Sequence, residues 1–143
     1  AVAALELTGQ TRCNGHSGSA CVDIRYSGEL GWAGGVGQHP PNTWGELDGG
    51  FDLRGATELE LWARGAYGGE RISIGVGLLE SDKAHPDSAK RSSGDIVLTH
   101  EWRRYRIRLK RLDLSSIKTG FVITLHGKRV PVAVYLDEIR FVR

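Results

Sequence analysis

The sequence has no run of apolar residues near the roughly 18 that a membrane-spanning helix needs, so these 143 residues hold no candidate membrane helix. Methionine is absent and there are two cysteines, Cys13 and Cys21. That is too little sulfur for a cysteine-built metal site, and the spacing is not the C-x-x-C of a redox pair. Neither sign of charge prevails: 19 basic residues face 17 acidic ones, a net +2, which gives no reason to expect nucleic acid. The five histidines (16, 39, 85, 100 and 126) are dispersed, and none pairs at metal-ligand spacing. G-x-S-x-G, H-E-x-x-H and phosphate-binding glycine loops are all missing. The GAYGGER stretch has glycines at the wrong spacing and leads into a strand-like segment, without the helix dipole that phosphate loops use. Glu60 and Glu70 lack the deep-cleft elements that glycoside hydrolases build around a carboxylate pair. No amphipathic helix of three turns, repeat or interdomain linker is visible.

What is present is glycine, 20 residues of it, scattered between short apolar runs. Frequent turns of this kind favour strands over helices. Period-two alternation recurs along the chain. Val22, Ile24 and Tyr26 form one apolar phase, and Leu59, Leu61 and Ala63 another, against Glu58, Glu60, Trp62 and Arg64. Ile72, Ile74, Val76 and Leu78 alternate with Arg71, Ser73, Gly75 and Gly77; Tyr105, Ile107 and Leu109 alternate with arginines; Phe121, Ile123 and Leu125 follow. The last segment breaks phase around Leu136–Glu138, and a bulge there would return Ile139 to the core. Residues 112–118 predict a single helical turn capped by Asp113 or Ser115. Eight or nine half-apolar strands stack best as two antiparallel sheets, so the expected fold is an all-β sandwich forming a single domain over 1–143. The absence of a signal peptide, with a strand-like start at Val2–Leu7, reads as a processed chain or a module of a larger protein. Cys13 and Cys21 flank a turn-rich span and are either a disulfide, implying an oxidising compartment, or free thiols.

Several phrases, namely ALEL, HSGSACVDIRY, GWAGGVGQHPPNTWG, FDLRGATELELWARGAYGGERISIGVG, EWRRYRIRL and VYLDEIRF, together resemble the galactose-binding-like β-jelly rolls. That group includes many carbohydrate-binding modules of bacterial polysaccharide-degrading enzymes. The resemblance spans nearly the whole chain and implies a jelly roll. It departs at Gly37, where similar sequences carry an aromatic. It also implies a structural Ca2+ site tying the first and last strands, with Glu6 of ALEL and Asp137 of YLDEI at the matching positions and hard oxygen donors suited to that ion. The competing role for Asp137 is a strand-end hydrogen bond or an ion pair with Arg140.

Sugar binding needs flat aromatic faces for the C–H side of the ring and polar groups for its hydroxyls. Trp32 and Trp44 sit in Gly/Pro-rich sequence, where they either stack on a ligand or cover the sandwich end; His39 and Asn42 between them are candidate hydrogen-bonders. Trp62, beside Glu60 and Arg64, is either an outward-facing platform or the partner of a cross-strand arginine stem. Tyr67 lies between glycine-containing turns and is a loop candidate. Arg104, Arg106, Arg108 and Lys110 form a ladder that is either a solvated, edge-protecting face or a surface for an acidic polysaccharide. The favoured reading is a non-catalytic module that binds a polysaccharide or oligosaccharide, associated with a carbohydrate-active enzyme and secreted or extracellular. The rival readings are a small jelly-roll lyase or hydrolase, and a structural or protein-interaction sandwich. Neither nucleic acid nor membrane is expected as a partner.

Overall fold

The alternating segments pair into strands that leave one apolar row each facing inward. The computed structural model describes residues 5–12, 20–26, 32–38, 50–79, 82–127 and 131–143, with side chains for 21–26 and for those from 50 onward. Among them are ten strands: β1 (Leu5–Arg12), β2 (Ala20–Tyr26), β3 (Trp32–Gln38), β4 (Glu58–Gly65), β5 (Arg71–Val76), β6 (Arg91–Ser92), β7 (Ile96–Val97), β8 (Arg103–Arg108), β9 (Thr119–His126) and β10 (Val132–Val142). Sheet A runs β1-β2-β10-β4-β8, and sheet B runs β3-β9-β5-β6 with β7 also on β5. All of the pairings are antiparallel. This is the two-sheet β-sandwich of jelly-roll type that the periodicity and the resemblance led us to expect.

The core lies between the sheets. Leu59, Leu61, Ala63, Ile107, Val134 and Leu136 from sheet A pack with Ile72, Ile74, Val76, Ile123 and Leu125 from sheet B in one buried cluster. Each Val, Leu or Ile among them contributes about 1.5–3 kcal/mol of burial. Cys21 is buried and disulfide-bonded, and the one other cysteine in the chain is Cys13.

Three local expectations are corrected. The bulge in β10 is real: the register shifts between Asp137 and Arg140, and Glu138 has φ 51°. It does not return Ile139 to the core, however, because Glu138 and Ile139 both lie within the bulge, opposite Leu61, and regular pairing resumes only at Arg140. Phe141, opposite Leu59, packs inward, while Ile139 is 36% exposed. Leu78 is likewise exposed, since β5 ends at Val76 and Gly77 turns the chain at φ +79°; Leu79 is the buried residue. Finally, 112–118 is not helical. Leu114 O accepts from Leu53 N, and Phe51 and Ile117 exchange both backbone hydrogen bonds, so this segment pairs sideways with 51–53. Asp113 Oδ1 accepts from Ser115 N in an Asx turn instead of capping a helix.

One carboxylate fastens the long connection after β5. Asp87 Oδ2 accepts from Leu78 N and Leu79 N (2.9 Å each) and from Thr119 Oγ1 (2.6 Å), while Oδ1 accepts from Lys118 N (2.5 Å) and Thr119 N (3.0 Å). Burial opposes its ionisation, but the Thr119 hydroxyl and the backbone N–H donors outweigh that and lower its pKa from 3.8.

Candidate functional site

On sheet B the outward positions are small. Ser73 and Gly75 of β5 stand beside Thr124 and Val122 of β9, with the inward Ile74 opposite Ile123 between them. In register, Gly34 and Val36 of β3 continue the Thr124 and Val122 rows, and Trp32 is the ladder partner of His126. A face without bulky side chains is a hollow. The segment Lys90–Ser92 closes one side of it: a Cβ at Gly77 would come 2.2 Å from the Ala89 carbonyl oxygen, and one at Gly75 would come 2.6 Å from that of Arg91. The result is a groove of about 460 Å³, floored by Ser73, Gly75, Val122 and Thr124 and walled by Leu78 and Lys90–Ser92. It offers C–H surface from Val122 and Leu78 and hydroxyls from Ser73, Ser92 and Thr124, the mixture a sugar chain requires.

A polar cluster stands on the same sheet beyond Thr124. Asp95 accepts from Arg71 Nη2 through Oδ2, and its Oδ1 lies 3.3 Å from His126 Nε2. The Arg71 hydrogen bond is the main reason that the Asp95 pKa falls below 3.8. Arg71 and His126 are thereby held at the end of the row that Trp32 joins.

The outward face of sheet A is the opposite in character, being crowded and charge-paired. Trp62 lies directly opposite Arg104, whose guanidinium sits 6.0 Å from the ring centroid. Arg64 lies 4.4 Å from the Tyr135 ring centroid and 5.6 Å from that of Trp102. Glu60, buried, accepts from Arg140 Nε and Nη2 (3.2 and 2.9 Å) and lies 3.5 Å from Arg106 Nε, which also approaches Glu58 at 3.7 Å. Burial opposes its charge, yet Arg140 and the other arginines lower its pKa from 4.5. A hollow of about 300 Å³ bounded by Glu60, Trp62, Glu138, Ile139 and Arg140 lies beside the bulge.

The sequence candidates therefore scatter. Trp62 and Arg64 share the sheet A face, away from the groove. Tyr67 tops the β4–β5 turn, 87% exposed, where its N–H donates to Glu70 Oε2 at 2.9 Å. Glu70 is buried beneath it, and its Oε1 has no hydrogen-bond partner. A Cβ at Gly65 would meet that oxygen at 1.8 Å. Gly65→Ala is expected to destabilise the fold by about 2 kcal/mol through overpacking, read as a lower urea midpoint; an unchanged midpoint would show that Glu70 moves aside freely.

Of Trp32 and Glu6 only the backbone is described, and His39, Asn42 and Trp44 lie outside the described residues. Glu6 pairs with Arg25, which pairs with Ala133, whereas Asp137 lies four residues further along β10. Asp137 Oδ1 accepts from Glu138 N at 2.8 Å. Arg140 pairs with Glu60. Among the described residues no three His, Cys, Asp or Glu side chains gather as metal ligands.

The groove residues Ser73, Gly75, Lys90, Ser92, Val122 and Thr124 were not singled out from sequence. One signal was available: the polar phase of Arg71–Gly77 carries only Ser and Gly after its first residue, unusual for a solvated strand face.

The sequence matches no protein-family model and no curated protein. The fold does match solved structures. A family 30 carbohydrate-binding module of a cellulosomal cellulase of Clostridium thermocellum is 18% identical, with a TM-score of 0.64 over 96% of this chain and 84% of that one. A family 11 module from Clostridium thermocellum, in complex with a β-1,3-1,4-mixed-linked tetrasaccharide, is 13% identical, with a TM-score of 0.64 over 98% and 83%. The N-terminal CBM22-1 and GH10 modules of a Clostridium thermocellum endo-1,4-β-D-xylanase, complexed with xylohexaose, match at 16% identity and a TM-score of 0.55 over 97% of this chain and 24% of that one. At these identities the likeness is one of fold.

Proposed function

We propose that this chain is a non-catalytic carbohydrate-binding module that seats a polysaccharide along the outward groove of sheet B and holds an attached or associated carbohydrate-active enzyme at its substrate. The observation that carries this is the floor of Ser73, Gly75, Val122 and Thr124: small outward residues on two neighbouring strands leave an extended hollow with hydroxyls and C–H surface. Trp32, at the end of the row beside His126, is the proposed aromatic platform, and His39 and Trp44 in the segment that follows β3 are proposed to extend it. The fold likeness to several carbohydrate-binding modules supports the same reading. Stacking and hydrogen bonding on a preformed surface need no bond breaking, and Asp95 and Asp87 are both held by hydrogen bonds. The proposed setting is extracellular, for which the bonded Cys21 is the support.

Calorimetric titration with a panel of neutral and acidic polysaccharides tests this. Thr124→Trp fills the floor from an outward position, so it is expected to weaken binding at least about tenfold (~1.4 kcal/mol) at unchanged thermal stability; Trp32→Ala should do the same. Trp62→Ala, on the other sheet, should bind like the parent. Equal binding by Thr124→Trp and the parent would remove the groove from consideration. Repeating the titrations with chelator reads the calcium expectation separately.

A further inference from the structure

The segment that walls the groove also closes the side of the sandwich. Arg91 Nη1 donates to Arg108 O at 3.4 Å, so the edge of sheet B at β6 meets the edge of sheet A at β8. Arg91, Arg108, Lys110 and Arg111 are all exposed along this seam. The neighbouring acids are engaged elsewhere: Glu58 and Glu60 by Arg106 and Arg140, and Asp113 by the Ser115 N–H. No ion pair with Arg91, Arg108, Lys110 or Arg111 is found among the described residues. Four like charges drawn from two sheets repel one another unless an anion joins them.

Edge protection explains charges on β8 itself. It does not explain Lys110 and Arg111, which follow the end of that strand, nor Arg91, which belongs to the other sheet. The ladder expected from sequence is thus divided by the structure. Arg104 faces Trp62 and Arg106 the glutamates, whereas Arg108, in register with Glu58 but forming no ion pair with it, accepts from Arg91 Nη1 at its carbonyl, and Lys110 and Arg111 follow it in the chain.

Resting on the groove reading above, we infer that the polysaccharide is a polyanion whose carboxylate or sulfate groups lie on the seam formed by Arg91, Arg108, Lys110 and Arg111. The guanidinium forks suit both anions. Nucleic acid is the competing polyanion, and titration with single-stranded DNA decides against it or for it.

The test is calorimetric titration of the intact chain with polygalacturonate, dextran sulfate, a neutral mixed-linked β-glucan and single-stranded DNA, at low and high NaCl. Acidic polysaccharide should bind at least about tenfold tighter than neutral glucan at low salt, with the advantage shrinking as NaCl rises. The variant Arg108→Gln/Lys110→Gln/Arg111→Gln should lose that advantage while keeping neutral binding, and Arg108→Lys/Arg111→Lys should retain most of it. Polygalacturonate and dextran sulfate separate carboxylate from sulfate recognition. Neutral glucan binding as tightly as the acidic polymers, or a triple variant that keeps the preference, overturns the seam and leaves the groove standing. DNA binding more tightly than any glycan overturns the seam's assignment, and binding of nothing in the panel overturns both readings.

Discussion

Asp87→Ala is expected to lower stability by about 3 kcal/mol, because five donors, four of them backbone N–H groups, lose the carboxylate that accepts from them. In a chain of this size that is a fall of about 10 °C in melting temperature. Asp87→Asn should lose most of the same amount: its amide keeps one accepting oxygen but turns an NH2 toward N–H donors. The effect has a pH signature. The folded-state pKa of Asp87 is lowered from 3.8, so its contribution is fully present above that value and is lost as pH falls through the lower, folded-state value. Glu60, also lowered, acts in the same direction. Stability of the parent should therefore drop below about pH 4, and the Asp87→Asn variant should show a shallower drop. Thermal unfolding from pH 7 to pH 2.5 measures both. Parallel curves for parent and variant would mean the carboxylate charge is not what holds Leu78, Leu79 and Thr119 together. Because Gly77 and Leu78 border the groove, the variant should also bind ligand more weakly while still folded.

Gly77→Ala should destabilise by a similar amount, about 3 kcal/mol, for two independent reasons. The position has φ +79°, which an L side chain adopts at a cost of about 1–2 kcal/mol. Its Cβ would also lie 2.2 Å from the Ala89 carbonyl oxygen and 2.9 Å from Lys90 Cα, both backbone atoms that cannot swing aside. Relief requires the Lys90–Ser92 wall to move off the sheet, so binding should fall further than stability alone explains. Gly55→Ala, with positive φ and open space around it, is the control for the conformational part. Denaturant unfolding of both, with titration at a temperature where both are folded, separates strain from displacement. If Gly77→Ala and Gly55→Ala cost the same, the close approach of 89–92 contributes nothing.

These two positions also show where local sequence stopped being informative. Asp87 is one polar residue in a turn-rich stretch, and its donors come from residues 78–79 and 118–119, about ten behind it and thirty ahead. Gly77 sat in an apparent strand alternation through Leu78, and only the turn at its positive φ exchanges Leu78 for Leu79. Trp62 and Arg104 are forty-two residues apart, and only the β4–β8 register sets them opposite one another. The groove was the least visible of all. Its floor is made by the shortness of Ser73, Gly75 and Thr124, and a missing side chain leaves no mark until two strands stand side by side.

What the sequence alone determined was the sandwich. Period-two apolar rows in β4, β5, β8 and β9 can be buried only between two sheets, since burial is decided residue by residue along each strand. The tertiary structure decided which outward faces remain open. Strand neighbours fix whether an arginine meets a glutamate, a tryptophan or solvent, and the two sheet edges brought together by Arg91 and Arg108 lie seventeen residues apart in the chain.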